Sequence, residues 1–446
     1  MSRAGVERQD VSTGAPAFAE AHAAWWRIGL LSFGGPAGQI ALMHRVLVEE
    51  KKWLSERQFL NALNFCMLLP GPEAMQLATY AGWLLHGVRG GLAAGIAFVV
   101  PGAVVIFALA LAYAAFGDLA WVEAVFIGIK AAVLVIVVQA LMKVAGRALR
   151  RSVHWAIAAM AFFGLFFLGV PFPLVIFGAA LAGFVLLRGD AARMADGADV
   201  GIVAGVGSVR LSDTARTVAG GLAIWLGPLV VLVGALGPDH VLSEAAIFFS
   251  KLAVVTFGGA YAVLAYMAQE VVEGFRWLTA GEMLDSLGLA ETTPGPLILV
   301  TQFVGTLAAA RDAGGLSFPM AIAGSLVTLW ATFAPCFLWI FAGAPYIERA
   351  GRAVWLSAAL SGVTAAVVGV IANLSLWFAL QVLFGDVTRV AFGPFQAWLP
   401  TLATLDPAAL ALTGIAAALL LWRGVGVMGT LAACAALAGV VSAVTG

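Results

Sequence analysis

Residues 31–40 read LSFGGPAGQI, and 224 positions later residues 255–264 read VTFGGAYAVL. Both Phe-Gly-Gly triplets stand in apolar sequence, where paired glycines interrupt a helix, because glycine loses more backbone freedom there than any other residue. Setting residues 33–72 against 257–296 without a gap gives fourteen identities in forty positions. Phe33-Gly34-Gly35 meets Phe257-Gly258-Gly259, Trp53-Leu54 meets Trp277-Leu278, and Pro70-Gly71-Pro72 meets Pro294-Gly295-Pro296. A shared apolar composition produces a few coincidences, but not three motifs in one register. Beyond an insertion around 311–319, GIKAAV (128–133) aligns with GVTAAV (362–367). The chain is an internal duplication.

Composition sets the solvent. Of 446 residues, 62 % are hydrophobic and only 11 % are Asp, Glu, Lys or Arg, with a mean hydropathy of +1.00. Soluble domains carry roughly 25 % charged residues, so this chain could not give a water-facing surface enough polar cover. Runs such as 96–116 and 121–142 are long enough to cross roughly 30 Å of hydrocarbon at 1.5 Å per residue. The fold class expected is an all-α polytopic membrane protein of roughly 9–13 membrane segments. Net charge is zero and basic patches are sparse, which gives nucleic-acid binding no support. The polar first 17 residues have no apolar stretch behind a basic start, so no cleaved signal peptide is expected. Cys66, Cys336 and Cys434 lie far apart without metal-ligand spacing and read as free buried thiols. No metal or other cofactor is expected.

Charge distribution orients the copies. Residues 44–57 carry Arg45, Lys51, Lys52 and Arg57, whereas 268–281 carry only Arg276, with Glu270 and Glu273 beside it. Lys and Arg mark cytoplasmic loops, so equivalent loops are expected on opposite sides. The basic stretch 143–151 and the Gly/Asp/Arg/Ser-rich linker after residue 187 read as cytoplasmic, and a helical pair over 154–187 turns at Pro171-Phe172-Pro173. The expected organisation is a disordered N-terminus (1–17), a first repeat with its trailing helical pair (18–187), a linker (188–218), an inverted second repeat (219–385) and C-terminal membrane helices (386–446). Inverted repeats are a recurrent build of secondary transporters, with sites where helices break near the midplane.

The arms around each Phe-Gly-Gly and Pro-Gly-Pro are roughly 15 residues, about 22 Å of helix, too short to span the core. They read as broken or re-entrant hairpins, and non-helical backbone at that depth must be buried in protein or line a watery cavity. Proline pre-sets a first helical turn, so each Pro-Gly-Pro reads as a half-helix start whose N–H groups favour an anion. Two such starts facing each other suit a tetrahedral dianion. Arg27 and Lys251 each precede a Phe-Gly-Gly by six residues. Lys130 lies inside an apolar span, either as a functional charge or as the partner of Glu123 seven residues back. Glu73 and Glu291 flank the Pro-Gly-Pro motifs and are candidates for proton coupling or for balancing Arg and Lys. Gln39, Gln76, Thr292, Thr293 and Gln302 are polar groups near the breaks. No Ser/His pair, intramembrane metal motif or P-loop occurs, so neither an enzyme nor direct ATP drive is expected.

The stretches FGGPAGQIALMHRVLVEEKKWLSERQF and LLPGPEAMQLATYAGW, with the second TFGG and TTPGP, resemble the chromate transporter family in its long two-repeat form. The likeness covers about residues 20–385. It implies a multi-pass carrier of a bacterial or archaeal inner membrane that exports chromate and confers resistance. The matching positions are Phe33, Gly34, Gly35, Pro36, Gly38, Gln39, Pro70, Gly71, Pro72, Phe257, Gly258, Gly259, Pro294, Gly295 and Pro296. Ala260 stands where the first copy has Pro36, which implies unequal halves. The partners expected are the lipid bilayer and chromate or a sulfate-like oxyanion; a homodimer is left open. Sulfate or another oxyanion as the cargo, or a passive anion channel, are the alternatives.

Overall fold

The computed structural model describes residues 16–117, 119–189, 211–257, 260–312, 314–346 and 353–445. The expected N-terminal segment (1–17) and linker (188–218) therefore lie largely outside the described residues, as do Gly258 and Gly259. The described residues are predominantly helical. The first repeat opens with α1 (Phe18–Leu31), a break at Ser32–Gly34, then α2 (Gly35–His44), which runs into a π-turn over Arg45–Glu50. It continues with α3 (Glu56–Cys66), α4 (Glu73–Phe116) and α5 (Ala120–Ala148). A short helical pair, α6 (Ser152–Phe166) and α7 (Phe172–Leu186), and the long α8 (Leu211–Leu236) follow.

The second repeat retraces the first. Helix α9 (Val241–Val255) matches α1, α10 (Ala260–Gln269) with its π-turn at Glu270–Gly274 matches α2, and α11 (Ala280–Thr292) matches α3. After a 3-10 turn at Leu297–Leu299 come α12 (Val300–Asp312), α13 (Phe318–Gly343) and α14 (Val354–Leu383). The correspondence extends to individual bonds after α2 and α10. Lys51 N–H donates to Val46 O and Phe275 N–H to Glu270 O, both closing a helix in the six-to-one pattern, and Trp53 N–H then reaches Leu47 O at 2.8 Å as Trp277 N–H reaches Val271 O at 3.0 Å. The residue just before each tryptophan takes a left-handed conformation, Lys52 at φ 54° and Arg276 at φ 57°. Ser55 with Gln58, and Thr279 with Glu282, then form the same capping box at the start of α3 and α11.

One long helix is a hairpin. Within α4, His86 (φ −139°, ψ 24°) and Gly87 (φ 61°, ψ −151°) leave helical geometry. Gly82 and Gly90 press backbone on backbone, although eight residues of straight helix would separate them by about 12 Å. The arms 73–85 and 88–116 are therefore antiparallel, as α12 and α13 are, where Gly305 and Gly324 make the matching close approach. Glycine is required there because a Cβ on Gly82, Gly90 or Gly324 would occupy the neighbour's carbonyl, and one on Gly305 the Thr328 hydroxyl.

Five helical stretches among the described residues are long and apolar enough to cross a membrane: one within Glu73–Phe116, and Ala120–Ala148, Leu211–Leu236, Phe318–Tyr346 and Val354–Leu383. Helix α14 forms the hub of one side, packed on α5, α6, α7 and α10. Gly362 and Gly369 let α7 and α6 seat directly on it. The C-terminal segment is not wholly helical. An antiparallel β-hairpin, β1 (Val387–Phe392) and β2 (Phe395–Pro400), precedes α15 (Pro407–Ala417) and α16 (Val427–Thr445), which pack on α5. Its reason is local: Gly393 at φ 61° supplies the tight two-residue turn, and β-branched and aromatic residues flank it.

Candidate functional site: where the two sets of breaks cross

Each helix break in one repeat is closed by the break of the other. Helix α1 ends at Leu31, and the fully buried Ser32 donates its hydroxyl to Gly29 O at 2.8 Å. Helix α9 ends at Val255, and the buried Thr256 donates to Leu252 O at 2.5 Å. These two residues are equivalent by the 224-residue offset. Gly71 N–H donates to Thr256 O at 2.9 Å, and Gly295 N–H donates to Ser32 O at 3.0 Å. The glycine of each Pro-Gly-Pro thus binds the residue just before the other repeat's Phe-Gly-Gly, a reciprocal exchange that only a two-fold-like arrangement produces. Positive φ values, 123° at Gly71 and 88° at Gly295, aim those N–H groups inward.

Side chains secure the crossing unequally. Gln39, 1 % exposed, donates its amide to Gly295 O at 2.6 Å and to Ser32 O at 3.3 Å. The equivalent position is Val263. Gln76 instead donates to Pro70 O at 2.7 Å, within its own repeat. The carbonyl oxygens of the Gln39, Gln76 and Gln302 side chains are buried without a partner. Gln302 ties α12 to Ala103 O on α4 and to the Ser325 hydroxyl, both at 2.9 Å. The outer walls are proline-bearing helices. Gly102, beside Pro101, presses on Pro294 O, while Cys336, beside Pro335, lies 3.0 Å from where a Cβ on Gly71 would sit. Positions 102 and 336 share the 234-residue offset that relates GIKAAV to GVTAAV.

The motif prolines start helices as expected. Pro72 caps α4, Pro296 caps the turn leading into α12, and Pro36 sits in the first turn of α2. The first Phe-Gly-Gly, by contrast, faces outward: Phe33 is 40 % exposed, and nothing lies within 4 Å of a Cβ placed on Gly34 or Gly35. Phe257 is half-buried.

Several other candidates do not join the crossing. Arg27 reaches Glu50 at 2.8 Å with about half of its side chain exposed (52 %). Lys251 is exposed beside Ser250, Trp225 and Tyr266. The hydroxyls of Thr292 and Thr293 donate to Leu289 O and Ala290 O of their own helix, so they are committed to ending α11 rather than free for a ligand. Glu73 opens α4, where a carboxylate complements the helix dipole. Glu291 is buried and accepts from Tyr261 at 2.6 Å. Lys130 pairs with Asp285 at 3.4 Å, not with Glu123. Sequence reading missed Asp285 and its partner Tyr113, although a lone carboxylate in apolar sequence was the signal to follow. It also missed Ser32 and Thr256, whose hydroxyl equivalence the repeat register displays. Among the described residues, no group of three or more His, Cys, Asp or Glu side chains could hold a metal.

Long apolar helices, a duplicated core and breaks that interlock at its centre define a polytopic helical membrane protein of the two-repeat type. A family model described as the chromate transporter matches residues 19–184 and 243–440, one segment per repeat. The chain belongs to the chromate transporter family. It is 30 % identical to a probable chromate transport protein of Synechococcus elongatus over 355 residues, 78 % of this chain and 81 % of that one. It is also 30 % identical to a chromate transport protein of Cupriavidus metallidurans over 346 residues, 77 % and 78 % of the two chains. An uncharacterized transporter of Methanocaldococcus jannaschii is 25 % identical over 358 residues, 80 % and 83 %. No solved structure matches significantly.

Proposed function

We propose that the protein is a secondary transporter that carries chromate, a tetrahedral dianion, outward across the inner membrane, and that the crossing of the breaks is its substrate site. The observation that carries this is the reciprocal pair Gly71–Thr256 and Gly295–Ser32. Those N–H groups, at the starts of two half-helices, are the donors an oxyanion would use, and here each is occupied by the other repeat. Separating the repeats by a rocking motion frees them together, while closing them returns each to its protein acceptor. One movement therefore both exposes and erases the anion site, as alternating access requires. The lysine and arginine asymmetry between equivalent loops supports repeats that enter the membrane from opposite faces. The inside-negative potential drives a dianion outward without nucleotide hydrolysis.

Uptake of labelled chromate into everted membrane vesicles tests this, with unlabelled chromate, sulfate, molybdate and phosphate as competitors and with and without an uncoupler. Uncoupler-sensitive accumulation that chromate itself competes most strongly supports the reading. Flux that persists unchanged with uncoupler makes the protein a passive channel, and dominance of sulfate as competitor makes it a sulfate carrier.

A further inference from the structure

A second polar cluster lies apart from the crossing, between α4, α5 and α11. Asp285 is 3 % exposed. Its Oδ2 accepts from the Tyr113 hydroxyl at 2.8 Å and lies 3.4 Å from Lys130 Nζ, while Oδ1 is buried with no partner. Lys130 is the one Asp, Glu, Lys or Arg between residues 124 and 142, inside a membrane-crossing helix. Gly281 makes room for it: a Cβ there would lie 3.3 Å from Lys130 Nζ. The other charges near Asp285 are satisfied elsewhere, since Glu282 pairs with Arg311 of α12 at 2.7 Å. Helix α14 carries no titratable side chain and α16 only the Cys434 thiol. The duplicated positions hold Asn61 and Thr364, so this pair exists in one copy per chain.

An ion pair inside a membrane protein is expensive to keep unless it does work. This one joins the first repeat's α4 and α5 to the second repeat's α11, the helix that ends at Thr292 just before Pro294-Gly295-Pro296. Seven residues separate Asp285 from that end, about 10 Å along the helix.

We propose that Asp285 is the proton-binding group of the transport cycle, with its free Oδ1 as the protonation atom and Lys130 as the fixed cation beside it. This rests on the transporter reading above. A proton from the aqueous phase, bound at Oδ1 as an O–H bond, converts the carboxylate to a neutral acid. The cluster then passes from zero charge to +1, with Lys130 as its fixed cation. A positive cluster beside the crossing favours a dianion there, and by linkage the bound dianion favours the proton. Proton and oxyanion therefore occupy the same state, and the loaded site moves with a net charge of −1.

The test is equilibrium binding of chromate to the purified full-length protein over a range of pH. Chromate's own ionisation is common to every variant and cancels in comparisons with wild type. Wild type gains affinity as pH falls, by up to about tenfold per pH unit, the limit for one linked proton. Asp285→Asn, a permanent mimic of the protonated acid, binds as tightly as protonated wild type and keeps only the pH dependence that chromate's own ionisation gives every variant. Tyr113→Phe removes a donor that favours the charged carboxylate, so its transition moves to higher pH while the slope is kept. That variant preserves the test should Asp285→Asn fail to fold. A wild-type pH slope in Asp285→Asn, or an unmoved transition in Tyr113→Phe, overturns the proposal. Chromate binding by wild type with no pH dependence overturns it while leaving the transporter reading intact. No chromate binding at any pH removes the transporter reading itself.

Discussion

The backbone N–H of Gly295 donates to both the carbonyl and the hydroxyl oxygen of Ser32, each at 3.0 Å, across 263 residues of chain. Its mirror, Gly71 to Thr256, has a single acceptor at 2.9 Å. The two crossings are thus equivalent in backbone and unequal in side chains. The second Pro-Gly-Pro is the better anchored, because Gln39 also binds its Gly295 carbonyl.

Alanine at Gly71 or Gly295 forces a side chain into the left-handed region, at a cost of roughly 1–3 kcal/mol. At Gly71 the new Cβ would also meet Gln76 Nε2 at 2.7 Å and Cys336 Sγ at 3.0 Å, whereas at Gly295 the nearest atom is Leu299 Cδ1 at 3.1 Å. Both variants are expected to insert in the membrane, to unfold at lower temperature than wild type and to lose chromate flux, Gly71→Ala more severely. Membrane fractionation, thermal unfolding and vesicle uptake read the three effects separately.

Gln39→Leu removes the side-chain donor of a buried carbonyl, which costs roughly 1–3 kcal/mol. Ser32→Ala keeps the main acceptor of Gly295 and should cost about 1 kcal/mol or less. The expected order of stability is wild type, then Ser32→Ala, then Gln39→Leu. Thermal unfolding in one detergent checks it, and a reversed order would show that the hydroxyl, not the amide, holds the crossing.

Arg27 and Glu50 form an exposed pair, 52 % and 36 % accessible by side chain. Such pairs contribute roughly 0.2–1 kcal/mol. Arg27→Gln is therefore expected to leave the half-saturating chromate concentration unchanged and to shift stability only slightly. A clear loss of affinity would restore the cationic role that its position before Phe-Gly-Gly implied.

Ser55 and Thr279 cap α3 and α11 with the same two bonds. Replacing either by alanine should cost about 1 kcal/mol. The sites lie in different repeats without a shared partner, so the double variant should lose the sum of the two. Unfolding midpoints of the three proteins test this.

Much was legible in the chain alone, because its signals are local. Apolar runs report the lipid solvent, and a repeated register of Phe-Gly-Gly, Trp-Leu and Pro-Gly-Pro reports duplication and where helices stop. Those features depend only on backbone preferences of neighbouring residues, so the break positions were readable residue by residue. The β-hairpin at Phe392-Gly393-Pro394-Phe395 was also local, yet the apolar character of its surroundings masked a turn signal of only two residues.

Partner choice was not legible. Lys130 has Glu123 seven residues back on the same face of its own helix, but packing brings α11 against α5 and sets Asp285 at 3.4 Å. Arg27 has the spacing of a site residue, yet the fold of α2 and its π-turn carries Glu50 to it. Sequence by itself determined that this is a duplicated helical membrane protein with paired breaks. Only the tertiary structure decided that each break is closed by the opposite repeat. The reason is physical: periodicity fixes which residues leave the helix, whereas the acceptor of a freed N–H is whichever carbonyl the packed helices bring within about 3 Å.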